Sequence, residues 1–296
     1  MISRFVLIIG AMKSGTTTLY DYLKIHPQIA TGPNKEPGFF AFEEKWSLGF
    51  DWYESQFNFD KQVHTFALEA TTDYTKYPFC KDVVNRLKAS APREFKLIYI
   101  MRHPLRRIES HARHTERTGR EVGQFPSPRP SHSLQVGVSA VSIAISCYAQ
   151  QIDQYSEYYD KGDLMLLTLE GLAREPLATI AKVCNFLNIS APETQEVALK
   201  SNSGDRNSPY SIRRQLYPLW QSLKQTPLLR HGARLTIPKS VRTSISTKAK
   251  EWADPHGRFK LNDDESASLI TQLAPDLRRL KDQYGIDPRR EWGIIV

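Results

Sequence analysis

The sequence predicts an α/β fold, with a mostly parallel sheet and helices on both faces. Three observations lead there. Short, β-branched apolar runs recur at about residues 5–10, 65–69, 96–101 and 163–169. Between them lie stretches with apolar residues three and four apart, the helical spacing. The run Lys96-Leu-Ile-Tyr-Ile-Met101 is apolar through its centre, as a strand covered on both sides must be. Strands that alternate with helices pair in parallel, because each return across the sheet takes about the length of a helix.

The elements follow in order. The first strand, at 5–10, runs into Gly10-Ala-Met-Lys13-Ser14-Gly15-Thr16-Thr17-Thr18-Leu19. A helix over 16–25 carries Leu19, Tyr22 and Leu23 and ends near His26-Pro27, since a residue before proline avoids helical angles. A loop holds Asn34-Lys35-Glu36-Pro37-Gly38-Phe39-Phe40. Gly49 to Phe57 reads as a short amphipathic helix with Asp51 and Glu54 outside, and Thr65 to Glu69 as the second strand. Phe79 to Ala89 is a helix with Val83, Val84 and Leu87 on one face. After the third strand, Pro104 opens a helix continued by Leu105, Ile108 and Ala112. Gly119 to Gly137, rich in Pro, Ser and Arg, reads as a long loop, a kind that is usually either a functional lid or disordered. Ser139 to Tyr159 reads as one long helix, Asp163 to Leu169 as the fourth strand, and Pro176 to Leu187 as a helix. Residues 201–260 are irregular and basic, and Asp263 to Tyr284 closes the pattern as a helix through Leu269, Leu273, Leu277 and Leu280.

Composition narrows the class. Of 296 residues, 40% are hydrophobic and 24% charged, the profile of a soluble globular protein. The net charge of +8 suits an anionic ligand. The cysteines, Cys80, Cys147 and Cys184, are odd in number and widely spaced; they form no disulfide framework and no metal-type pair, which argues for a reducing compartment. No leader pattern precedes the first strand and no apolar run is long enough to span a bilayer, so the expectation is a soluble, cytoplasmic protein without a membrane anchor. No helix-turn-helix, zinc finger or base-stacking motif accompanies the charge, which argues against nucleic acid. No clean linker interrupts the chain. It is expected to be one domain, 1–296, with an α/β core over 1–190 and a loop-rich basic part and C-terminal helix over 191–296.

The Lys13 loop carries the chemistry. Strand, tight loop and helix aim backbone N–H groups and the positive end of a helix dipole at one point, which attracts an anion. Lys13 adds a full charge, and Ser14, Thr16, Thr17 and Thr18 add hydroxyl donors. The stretch reads either as a P-loop-like phosphate- or sulfate-binding loop or as a plain strand-to-helix turn that contains a lysine. In the nucleotide-triphosphatase pattern the lysine follows the second glycine. Here Lys13 precedes Gly15, and the third strand ends in Arg102 where an aspartate would hold Mg²⁺. The loop suits an anion handled by a lysine without a metal.

Arg102-His103-Pro104-Leu-Arg106-Arg107-Ile-Glu-Ser110 forms the second constellation. In an open parallel sheet, ligands sit beyond the carboxyl ends of the strands, where the Lys13 loop and Arg102 both lie. Arg102 offers a planar fork to a phosphate, and Ser110 lies about two helical turns on. A molecule with two separate anionic groups fits the pair. His103 reads as structural, and His111 and His114 as exposed. Arg113, Arg117, Arg120, Arg129, Arg206, Arg213 and Arg214 form either a solvated basic rim or a surface that captures an acidic group.

With these residues the chain resembles the sulfotransferases that use 3′-phosphoadenosine 5′-phosphosulfate (PAPS). The Gly10-to-Thr17 loop resembles that family's 5′-phosphosulfate loop, and Arg102 with Ser110 its 3′-phosphate site. Lys35-Glu36-Pro37-Gly38-Phe39-Phe40 resembles the segment with the catalytic glutamate in heparan-sulfate-type enzymes. His256-Gly257-Arg258 resembles a late Lys-Gly-Arg loop that closes over the nucleotide. Leu166-Leu-Thr-Leu-Glu170-Gly-Leu, Pro176 and Phe186-Leu187 match the family's last strand and following helix. Two departures stand out: Gly38 where many relatives carry His, and His256 where they carry Lys.

The resemblance implies sulfuryl transfer from PAPS, with PAP as product and no metal, to a hydroxyl or, less readily, an amine of a carbohydrate, lipid or small molecule. Lys13 would stabilise charge on the departing phosphate oxygen. Glu36 would be the general base. A carboxylate is a weak base toward a free alcohol, and burial by Phe39 and Phe40 would strengthen it. Read from the residues alone, Glu36 is rather a solvated loop carboxylate paired with Lys35; the resemblance reverses that order. Lys35, Asp73 and Phe40 are the acceptor-side candidates; Asp73, in Glu69-Ala-Thr-Thr-Asp73-Tyr74, reads equally as a turn former. A small-molecule kinase, or a nucleotide- or polyanion-binding protein without catalysis, remains the alternative.

Overall fold

The computed structural model describes residues 1–118, 138–190 and 259–296. Its sheet has five strands: β1 (Arg4–Gly10), β2 (Ile29–Ala30), β3 (Phe66–Glu69), β4 (Glu94–Met101) and β5 (Leu164–Thr168). They are ordered β2-β3-β1-β4-β5, and every pair is parallel. Four strands were legible in the sequence. The fifth, β2, has two residues, too few to set up a period. The chain leaves β1 toward β3 and then crosses to β4 on its other side. A crevice therefore opens beyond the carboxyl ends of β1 and β4, where such sheets bind ligands.

Both faces of the sheet are covered. Val6 and Ile8 of β1, with Ile98 and Ile100 of β4, pack on α1 (Thr16–Leu23) through Leu19, Tyr22 and Leu23, and on α10 (Pro176–Leu187) through Ile180, Val183 and Leu187. On the other face Phe5 packs against Phe50, Tyr53, Phe57 and Phe95 with ring centroids 5.3 to 5.8 Å apart. Phe50 and Tyr53 come from α3 (Gly49–Ser55). Full burial of such a side chain contributes about 1.5–3 kcal/mol, so this aromatic layer is a large share of the core.

The short helices α2 (Glu43–Trp46) and α4 (Val83–Ala89) and a 3-10 turn over Thr72–Thr75 complete the first half. The helix after β4, α5, runs Pro104–Thr118. The single helix expected over 139–159 is instead three pieces: α6 (Ala140–Ser146), α7 (Tyr148–Asp153) and α8 (Ser156–Asp160). No proline or glycine breaks that stretch. The break is tertiary. Asp276 of α11 (Asp263–Tyr284) accepts the N–H groups of Ala149 at 3.0 Å and Gln150 at 2.9 Å, and so caps a new helix start beside Cys147. Two more helices, α9 (Leu169–Arg174) and α12 (Pro288–Trp292), flank the carboxyl end of β5 and the last turn of the described chain. One compact unit takes in Met1–Ala198 and Lys260–Val296, so α11 packs with the sheet core. Among the described residues no helix is long and apolar enough to cross a membrane. The expected loop at 119–137 and nearly all of the irregular stretch at 201–260 lie outside the described residues.

Candidate functional site

The loop between β1 and α1 is held at both ends by backbone bonds. Ala11 N–H donates to the Ile100 carbonyl of β4 at 2.7 Å, and Ser14 N–H closes a turn on the Ala11 carbonyl at 3.1 Å. Lys13 adopts a left-handed φ of 67°, which for a residue with a Cβ costs about 1–3 kcal/mol and is kept where surroundings impose it. Gly15, at φ 93°, precedes α1, and a Cβ there would lie 2.6 Å from Leu169 Cδ1. No side chain caps the start of α1. The N–H groups of its first turn therefore point out of the helix without an acceptor in it, which is the arrangement an anion completes.

Arg102 follows β4 directly and is half-buried. Its Nη1 donates to the Lys13 carbonyl at 3.3 Å, so the two cationic residues singled out in the sequence meet at one corner. The Tyr148 hydroxyl donates to the Arg102 carbonyl at 2.6 Å, and fully buried Ser14 lies beside that hydroxyl. Burial holds the Arg102 guanidinium below its ordinary pKa, while Glu170 opposes the shift. Glu170 also builds the corner: it accepts His103 N–H at 3.0 Å and, through its other oxygen, the Trp292 indole N–H of α12 at 3.0 Å. Thr168 donates to Glu291 at 3.0 Å. The His103 backbone is thus engaged structurally, as expected. Ser110 is half-buried on α5, two turns beyond His103.

The Glu36 segment is tied to the same loop. Lys35 Nζ donates to Thr17 Oγ1 of α1 at 2.9 Å and pairs with Glu36 at 2.7 Å. The Glu36 side chain is 40% exposed. Phe39 and Phe40 do not bury it: both are fully enclosed in the aromatic layer, with Phe40 packed on Tyr53, Tyr74 and Phe95. Phe40 therefore presents no ring to an acceptor, because its ring, like that of Phe39, is packed into the core. Gly38 has a φ of 72°, and a Cβ there would come within 2.9 Å of the Phe42 ring, which accounts for the glycine.

Beneath this segment lies a carboxylate the sequence did not single out. Glu69, at the end of β3, is fully buried and accepts hydrogen bonds from Tyr53 at 2.6 Å, Tyr74 at 2.8 Å and Thr71. Burial pushes its pKa from 4.5 to about 7, against the pull of the three hydroxyls, and Glu36 adds to the rise. Only a solved fold could reveal it; in the sequence it is the last residue of an ordinary strand.

Asp73 pairs with Lys76, whose side chain is completely buried. Lys76 and Lys13 both act on His111, together with Arg107 and His114, and with burial they push its pKa from 6.5 down to about 3. His111 is therefore not exposed, as expected from the sequence, but 2% accessible, because α5 buries the stripe of Pro104, Arg107, Ile108, His111 and Ala112. Among the described residues neither His111 ring nitrogen, nor Nη1 of fully buried Arg107, has a hydrogen-bond partner. So many cations around unpartnered donors fit an anionic group entering from the Lys13 side. His256, Gly257 and Arg258 lie outside the described residues, as do Arg120, Arg129, Arg206, Arg213 and Arg214.

Comparison with known proteins agrees with this geometry. The family model described as "Sulfotransferase domain" matches residues 3–216. A human heparan sulfate glucosamine 3-O-sulfotransferase 6 is 27% identical over 194 residues, 64% of this chain and 54% of that protein. A human bifunctional heparan sulfate N-deacetylase/N-sulfotransferase 2 is 26% identical over 199 residues, 62% of this chain and 22% of its own. The chain thus spans about half the length, or less, of these curated relatives. A sulfotransferase crystal structure from Alicyclobacillus acidocaldarius shares the fold at 23% identity, with a TM-score of 0.52, over 73% of this chain and 91% of that one.

Proposed function

Because the chain belongs to the sulfotransferase domain family, we propose that it moves a sulfuryl group from PAPS to a hydroxyl of a carbohydrate acceptor. One observation carries the reading: the Arg102 guanidinium bonded to the Lys13 carbonyl, which joins two anion-binding groups at the carboxyl ends of neighbouring strands. The Lys13 loop and the uncapped start of α1 receive the 5′-phosphosulfate. Arg102 and Ser110 receive the 3′-phosphate. The names of the relatives, one a heparan sulfate glucosamine 3-O-sulfotransferase and the other a heparan sulfate N-sulfotransferase, support a sugar acceptor.

In the transfer, the acceptor oxygen bonds to sulfur as the bond from sulfur to the bridging phosphate oxygen breaks, and that oxygen keeps the electron pair. Lys13 neutralises the charge gathering there, and the loop N–H groups hold the flanking oxygens. Glu36 accepts the hydroxyl proton as it becomes acidic along the reaction. The Lys35 bridge to Thr17 keeps Glu36 beside the helix that faces the donor. Fixed cations and dipoles here do the work that a magnesium ion does in phosphoryl transfer.

Calorimetry with PAP and transfer from labelled donor to a panel of oligosaccharides test this. Arg102→Ala is expected to weaken PAP binding about 10- to 100-fold, the loss of a charged hydrogen bond. Lys13→Ala and Glu36→Gln should each lower transfer at least ~100-fold, with PAP binding intact in Glu36→Gln. Full transfer by Lys13→Ala refutes the mechanism.

A further inference from the structure

The fully buried carboxylate of Glu69 has no ion-pair partner among the described residues, and three hydroxyls surround it. Two of those hydroxyls have a second duty. Thr71 Oγ1 accepts the N–H of Gly38 at 3.2 Å, and the Tyr74 hydroxyl accepts the N–H of Phe40 at 3.4 Å. Ala70, next to Glu69, donates its N–H to the Lys35 carbonyl at 2.9 Å. The stretch from 35 to 40, which carries Glu36, therefore rests on Glu69 and the residues beside it. Arg86, bonded to the Phe40 carbonyl at 3.1 Å, pins the far end.

We propose that Glu69 is a positioning residue for the transfer reaction: its ionised carboxylate fixes the direction of the surrounding hydroxyl protons, and so anchors the Glu36 segment. The chemistry is a matter of counting protons. Thr71 and Tyr74 each have one hydroxyl proton; while that proton points to Glu69, the oxygen lone pairs stay open to the backbone N–H. A protonated Glu69 becomes a donor and must make one hydroxyl turn. If Thr71 turns, its proton points to the Tyr74 hydroxyl beside it, and its bond to the Glu69 carboxylate is gone. Each protonated arrangement thus exchanges a charge-assisted bond to the carboxylate for a weaker neutral one, which loosens the hold on Gly38 and Phe40. The other titratable groups that act on Glu69 are Glu36, which disfavours its charge, and Tyr20, whose own pKa is raised first by burial and then in part by Glu69. The site thus organises as Glu69 ionises, near the neutral pH to which burial has moved it.

This inference rests on the reading of Glu36 as the base, and the test separates the two. Amide resonances of Gly38 and Phe40 are followed by NMR from about pH 5 to 9, and acceptor kcat is measured at saturating donor over the same range. Wild type and Glu36→Gln are both expected to show the amides titrating with a midpoint near 7, and Glu69→Gln to show none. Wild-type kcat should fall on the acid side with the same midpoint, a limb Glu69→Gln lacks, while its PAP affinity stays that of wild type. Tyr53→Phe removes one hydroxyl that favours the carboxylate and leaves the two that hold the segment; its midpoint should move upward. That variant keeps the test sharp should Glu69→Gln not fold. Gly38 and Phe40 amides that do not titrate, or that titrate alike in Glu69→Gln, overturn the proposal. Undiminished transfer by Glu36→Gln overturns the reading of the base and leaves the amide result standing.

Discussion

A carboxyl held at about 7 inside the protein should be visible in stability as well as in activity. The perturbation is pH, compared between wild type and Glu69→Gln. In the unfolded chain Glu69 titrates near 4.5, and in the folded chain near 7. At ~1.4 kcal/mol per pH unit this difference is worth about 3 kcal/mol. The sign follows from which state holds the proton. Between the two values the folded state binds it more tightly, so the contribution of Glu69 is fully present below about 4.5 and is lost as pH rises through about 7. Urea unfolding at several pH values is the assay. The stability of wild type minus that of Glu69→Gln should fall by about 3 kcal/mol between pH ~4.5 and ~8, whatever the constant offset from lost hydrogen bonds. Parallel curves for the two proteins across that window would refute the reasoning. The protein is then least stable in the protonation state that orders its acceptor side, a trade common at functional sites.

Two further outcomes test the frame around the site. Gly15→Ala forces a Cβ to within 2.6 Å of Leu169 at a positive φ, and should cost at least ~1–2 kcal/mol by denaturant titration and weaken PAP binding; Leu169→Ala should relieve the clash but not the backbone strain. Asp276→Ala leaves the N–H groups of Ala149 and Gln150 without their acceptor and should cost about 2–5 kcal/mol, while Asp276→Asn, which keeps one acceptor oxygen, should cost clearly less by the same assay.

The parts of this molecule that were legible in the sequence are those governed by local chemistry. The Lys13 loop announces itself because a tight turn between strand and helix needs particular residues. Arg102 was placed with it because parallel strands end on the same side of a sheet. Contacts across the chain were not legible. The break at Cys147 comes from Asp276, more than a hundred residues later, and nothing in the local sequence marks it. His111 was expected outside because histidine is polar; the stripe of α5 on which it falls is set by Ile108 and Ala112, and burial followed the stripe. Phe40 was placed in the acceptor pocket by its neighbours in sequence, while its ring belongs to the layer under β1. Glu69 left no signal, since a glutamate at a strand end is commonplace until the three hydroxyls around it are known.

The latch between Glu170, His103 and the Trp292 indole ties the Arg102 corner to a helix near the far end of the sequence. A growing polypeptide emerging from the ribosome would make the Lys13 loop and Arg102 well before Trp292. It could not finish the corner until residue 292 had cleared the exit tunnel. Nascent chains should therefore hold the nucleotide poorly until Trp292 is free to dock, and competence should arrive abruptly at that point.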